Sequence, residues 1–162
     1  MILKSQVEWA LHCCAILAGL PEGRYLSTKA LAEFHGLPKE YLSKALQSLS
    51  QAGLVHTTLG PSGGYRLARS PEELTFLDIV EAVEGKTRTF VCNEIRANNP
   101  CRPKDHCDTA PCAIARVMWD ADKAWRDTLR GVTLADLART LSRELPPELR
   151  NGTREWVEGR AG

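Results

Sequence analysis

Four of the six cysteines in this 162-residue chain, Cys92, Cys101, Cys107 and Cys112, fall within 21 residues, in the stretch CNEIRANNPCRPKDHCDTAPC. Three prolines and one histidine share the stretch, and almost nothing in it is apolar. It cannot pack as an element of its own. Four chemistries use thiols at this density: a disulfide framework, structural zinc, a reactive thiol, or an iron–sulfur cluster. Disulfides belong to oxidising compartments. The start, MILKSQVEWALHCCAILAGL, fails as a signal peptide, because Lys4, Glu8 and His12 interrupt it and no small-residue cleavage site follows. No apolar run approaches the roughly 18–20 residues that span a bilayer. The expected location is the cytoplasm, away from membranes, where thiols stay reduced. Structural zinc favours closely spaced cysteine pairs, and only Cys107 and Cys112 approach that pattern. A thiol sensor needs one reactive cysteine and a resolving partner, which the loop can supply. A cluster tolerates irregular spacing and accepts histidine on one iron. That reading outweighs the others.

Individual ligands separate by local context. Cys112 opens a helix, where free amides and the dipole favour a thiolate. Cys107, five residues earlier in a proline-bounded turn, is its expected partner, with Cys101 next. Cys92 ends a β-like apolar run and suits a small buried hydrophobe as well as a ligand. Outside the loop, Glu8 sits on an otherwise apolar face of the first helix, although a partly exposed carboxylate explains it too. His35 closes the second helix, where the dipole alone would favour it. His12, four residues from Glu8, and His106 inside the loop are rival nitrogen donors. Cys13 and Cys14 are helix neighbours pointing apart, and read as core.

The elements around these residues follow from periodicity. A helix runs over residues 4–19. Ser27 caps STKALAEFHG, and after a Gly-Leu-Pro turn a second helix, PKEYLSKALQSLSQAG, carries apolar residues at i, i+3/i+4 spacing. Two short helices joined tightly make a helix-turn-helix. LVHTTL, GPSGG and YRLAR then form a hairpin, the wing. The predicted fold is mainly α: a winged helix-turn-helix domain over 1–85, a cysteine-rich cluster-binding loop over 86–111, a long dimerisation helix and a following helix over 112–145, and a loosely ordered polar tail over 146–162. The long helix carries Ala115, Met118, Trp119, Ala121, Trp125 and Leu129 on one face, a stripe best buried against a second subunit.

Net charge is +1, but residues 24–69 concentrate Arg24, Lys29, Lys39, Lys44, Arg66 and Arg69 against Glu33 and Glu40. That basic third suits phosphates. In a winged helix the second helix enters the major groove. Lys39, Glu40, Tyr41, Ser43 and Lys44 occupy its first turns, although Tyr41 also fits the core. Thr28 and Lys29 can reach phosphates. On the wing, Ser62 and the amides of Gly63 and Gly64 can approach a phosphate, and the glycines also suit a turn requiring positive φ.

YLSKALQSLSQAGLV followed by GPSGGYRLAR, then LTFLDIVEAVEG and the cysteine loop, resembles the bacterial winged-helix regulators that include IscR and NsrR. VEWALHCC and FVCNEIR resemble most the redox-sensing RsrR type within that family. The resemblance covers roughly residues 1–145. It implies a homodimer acting on a double-stranded DNA operator, with an iron–sulfur cluster near the dimer interface. It further implies that Glu8 and His35 of one subunit complete a site with two loop cysteines of the other, taken here as Cys107 and Cys112. A mixed Cys/Cys/Glu/His shell favours 2Fe–2S and couples it to protons. Two departures stand out: Leu59 replaces the usual wing arginine, and the loop spacing is C-x8-C-x5-C-x4-C. The expected function is a DNA-binding transcription regulator controlled by the redox state or integrity of that cluster. The alternative is a cluster-free thiol- or metabolite-sensing repressor. An enzyme is not expected, because the chain has no nucleophile–base pair at recognisable spacing and no phosphate loop.

Overall fold

The computed structural model describes residues 2–61 and 63–162, so the wing residue Ser62 lies outside the described residues. Helix α1 spans Ser5–Leu17 and turns Val7, Ala10, Cys13, Cys14 and Leu17 inward at helical spacing. Burial lifts the Cys13 thiol to about 12 and drives Cys14 up as well, so both are inert core residues. Helix α2, Thr28–His35, starts where the Ser27 hydroxyl accepts the Ala30 amide at 3.1 Å. It stops at Gly36, whose φ of 64° a side chain would resist. Leu37 and Pro38 turn the chain into α3, Lys39–Gln51, which buries Leu42, Ala45, Leu46 and Leu49.

The wing pairs β1 (Val55–Thr58) with β2 (Gly64–Leu67) antiparallel, in the register Val55↔Leu67 to Thr58↔Gly64. Leu26 joins its base through two backbone bonds with Tyr65, 3.0 and 2.9 Å. Helix α4 (Phe76–Glu84) begins at a Thr75/Asp78 capping box, and α6 (Leu134–Glu144) at a matching Thr133/Asp136 box. The two starts are tied side by side: Phe76 donates to Val132 and Leu134 to Leu74, each at 2.9 Å. Helix α4 packs against α1, α3 and α5 (Ala113–Arg130). The core lies between α1, α2, α3 and α4, centred on Leu31, Leu42, Leu46, Leu49 and Ile79.

Helix α5 buries little of itself in this chain. Only Ala115 and Asp122 are buried, whereas Ile114 and Val117 are each 68% exposed. Asp122 is held by Arg126 at 2.9 Å and by the Thr89 hydroxyl at 2.8 Å, and Arg126 also donates to the Thr87 carbonyl at 2.7 Å. The third Arg126 nitrogen pairs with Glu81 on α4. These bonds anchor the entry of the cysteine loop to two helices at once.

Residues 146–162 do not form a loosely ordered tail. Pro147–Glu158 form a helix, α7, started by Pro147 with its preset φ. The segment looked polar because few of its residues anchor it. Val157 is buried, and half-buried Trp156 packs on the core.

Candidate metal centre and nucleic-acid interface

The cysteine loop leaves Arg88 and Thr89 and turns back at a 3₁₀ turn, Ile95–Asn98. Just before that turn Glu94 adopts φ 50°, the one positive-φ residue other than glycine among the described residues. Such a conformation costs about 1 kcal/mol or more and persists only where surroundings hold it. Here Arg96 grips the Glu94 carboxylate at 2.8 Å, donates to the Ala110 carbonyl at 2.8 Å and reaches Asp108 at 3.4 Å. Asp108 also pairs with Arg102 at 2.7 Å and lies 3.4 Å from His106. This charged hub folds the end of the loop back over its beginning.

The consequence is a convergence of donors. The Cys92 and Cys112 thiols and the Glu94 carboxylate all lie within 4.8 Å of one another. Cys101 and Cys107 are exposed and stand outside this group. The structure does not bring the expected pair Cys107 and Cys112 together: among the described residues, the donor group that includes Cys112 has Cys92 as its second thiol. Arg96 closes the 20-residue gap between Cys92 and Cys112, which spacing alone does not reveal. The available signal was Arg96 itself, four residues after Cys92, in a loop short of other order.

The two thiols differ. The amides of Ala115 and Ile114 at the start of α5 hold the Cys112 thiol below its ordinary value, with Arg96 adding to the effect. For Cys92 the Glu94 amide favours the thiolate. Partial burial, the hydrogen bond to the Glu94 carboxylate (3.4 Å) and that carboxylate's charge outweigh it, and the net shift is upward.

Glu8 and His35 do not join this group within one chain. Glu8 is exposed and, with His12, lines an apolar groove of about 550 Å³ between α1, Phe76 and α6. The His35 ring lies 5.7 Å from His12 and 4.9 Å from Phe34. Its Nε2 is buried and has no hydrogen-bond partner. Burial first, and His12 second, lower its affinity for a proton. A neutral imidazole with an unshared nitrogen is what a metal ion requires.

The residues expected to meet DNA lie on α2, α3 and the wing. Lys29, Lys39, Glu40 and Lys44 are exposed, Thr28 half-buried, and Tyr41 is 56% exposed, outside the core. The Ser43 hydroxyl donates to the Lys39 carbonyl at 2.8 Å, which leaves it free only as an acceptor. Gly63 and Gly64 correct an expectation, since neither has positive φ. A Cβ on Gly63 would meet the Thr58 carbonyl, and one on Gly64 the Leu26 carbonyl, each at 2.4 Å. Close approach requires these glycines; Gly60, at φ 106°, supplies the turn. The Gly63 amide already donates to Gly60 at 3.0 Å and is not free for a phosphate. Leu59 stands 97% exposed at the wing's end.

Comparison with known proteins identifies this assembly. The family model described as Rrf2, iron-dependent transcriptional regulator, matches residues 3–140. The chain belongs to the Rrf2 family. It is 36% identical to protein rrf2 of Nitratidesulfovibrio vulgaris over 72% of this chain and 73% of the relative. It is 28% identical to the HTH-type regulator NsrR of Shouchella clausii over 85% and 88%. The structure of CymR, the global cysteine regulator of B. subtilis, covers 86% of this chain and 98% of its own, with 25% identity and a TM-score of 0.65. This Rrf2 protein is thus a DNA-binding transcriptional regulator of a non-enzymatic family. No helix among its described residues is long and apolar enough to cross a membrane.

Proposed function

We propose that this regulator acts as a homodimer whose operator affinity is set by a 2Fe–2S cluster. Cys92 and Cys112 of one subunit supply thiolates, and Glu8 and His35 of the other supply oxygen and nitrogen. The observation that carries the reading is the buried, unpartnered Nε2 of His35, a costly arrangement unless another atom uses it. The donor chemistry fits: two thiols at one locus, a carboxylate and a neutral imidazole at another. The dimer follows from α5, whose exposed Ile114 and Val117 match the apolar groove beside Glu8.

When bound, such a cluster supplies a one-electron couple. The chain supplies the lever. His35 ends α2, the first helix of the helix-turn-helix, and Glu8 lies on α1, against which α3 packs. A change in what these two side chains hold therefore acts on the elements that seat the recognition helix. Lys44 and Lys39 then meet DNA phosphates and base edges.

Anaerobic purification followed by iron and sulfide analysis tests the reading. Cys92→Ala and Cys112→Ala are expected to abolish cluster binding, while Cys101→Ala and Cys107→Ala retain it. Loss with Cys107→Ala and retention with Cys92→Ala would overturn the ligand assignment. Lys44→Ala is expected to weaken operator binding and reduce the salt-dependence slope by about one. A slope unchanged in titrations at several salt concentrations would remove α3 from the groove. A second reading, a cluster-free thiol sensor, draws on Cys112, whose thiolate is favoured, and on the exposed thiols Cys107 and Cys101. It predicts no iron, and operator binding that responds to oxidant.

A further inference from the structure

Helix α7 lies beyond the segment matched by the family model, and it grips the element that carries His35. Trp156 packs edge-on against Phe34, with centroids 5.0 Å apart, and Phe34 packs edge-on against His35. Arg160 sits over the Trp156 ring at 4.0 Å and reaches Glu33 at 3.2 Å. Gly162 exchanges two backbone hydrogen bonds with Tyr25, 3.0 and 2.9 Å, just ahead of the Ser27 cap. Helix α2 is therefore clasped at both ends by the same short segment.

We infer that α7 positions the His35 imidazole, and that Trp156 is the positioning residue. A ligating histidine needs its ring orientation fixed, usually by a hydrogen bond from its second nitrogen. In this chain no side-chain hydrogen bond of His35 is present among the described residues, and the ring is flanked instead by Phe34 and His12. Phe34 can hold that ring only while its own rotamer is held, and the indole does this. Without Trp156, Phe34 gains room to rotate and the His35 ring loses its fixed edge. The role of His35 as a ligand rests on the function proposed above; its positioning by Trp156 is testable without iron.

The test compares Trp156→Ala, Trp156→Phe and Val157→Ala in the full chain. Val157 is buried in the same helix, so its truncation reports general loosening of α7. In cluster-free protein, long-range ¹H–¹⁵N spectra read the histidine rings, with His56 and His106 as internal references. Trp156→Ala is expected to shift and broaden the His35 signals, with Trp156→Phe restoring them and Val157→Ala leaving them near wild type. In the iron-loaded protein Trp156→Ala should lose iron to a chelator at roughly tenfold lower concentration. Unchanged His35 signals in Trp156→Ala would overturn the inference, as would equal perturbation by Val157→Ala. If the wild type holds no iron, the proposed function fails, and the cluster-free spectra still decide the positioning role.

Discussion

The helix-turn-helix core and the cysteine loop are held by different forces. Around Leu31, Leu42, Leu46 and Leu49 the chain is joined by apolar burial, with backbone polar groups satisfied inside helices and at caps. Between Cys92 and Cys112 almost no apolar residue is buried, and Arg96, Arg102, Asp108 and Glu94 carry the structure. Burial is insensitive to salt and mild acid, whereas exposed ion pairs answer to both. Under the proposed function this division keeps the helix-turn-helix fixed while the cysteine loop can respond.

Breaking the core should cost most. Leu46→Ala is expected to destabilise the protein by about 2–5 kcal/mol in urea titration, since Leu46 is fully buried. A loss well under 1 kcal/mol would mean that this core is not close-packed. Thr75→Ala, which removes half of a capping box, should cost about 1 kcal/mol in the same assay.

The loop should behave in the opposite way. Arg96→Met is expected to leave the urea midpoint nearly unchanged while raising the Cys112 thiol pKa, measured as a shift in the pH dependence of alkylation. A large fall in the midpoint would show the loop to be part of the core. Acid gives the smallest effect. Arg96 holds the Glu94 carboxylate below its ordinary range, and Arg102 does the same for Asp108. Carboxylates depressed in the folded state stabilise above their unfolded value and lose that contribution as pH falls through the folded one. Amide shifts of Ala97 and Ala110 should therefore hold steady above pH about 4 and move below it. Movement centred near neutrality would overturn the assignment of the loop's order to these carboxylates.

How much of this was legible in the sequence follows the same division. The helix-turn-helix and wing were readable because their signals are local: Ser27 as cap, Gly36 as stop, leucines at helical spacing. The cysteine pairing was not, because it depends on Arg96 reaching Ala110 and Asp108 across the loop. The role of Gly64 was hidden for a similar reason, since its constraint comes from Leu26, far back in the chain. Helix α7 was missed because two aromatic and aliphatic anchors, Trp156 and Val157, outweigh a polar majority.

The twin caps at Thr75 and Thr133 have one more consequence. The starts of α4 and α6 are joined there by an isolated bridge, and between them the chain first runs through α4 in the core and then departs into the cysteine loop and α5. The part beyond α4, the cysteine loop and α5, is an excursion that starts from a core helix and ends at that bridge. Residues can be inserted into or deleted from the exposed cysteine loop without touching the bridge or the core helices, so the loop can vary while the helix-turn-helix stays in place.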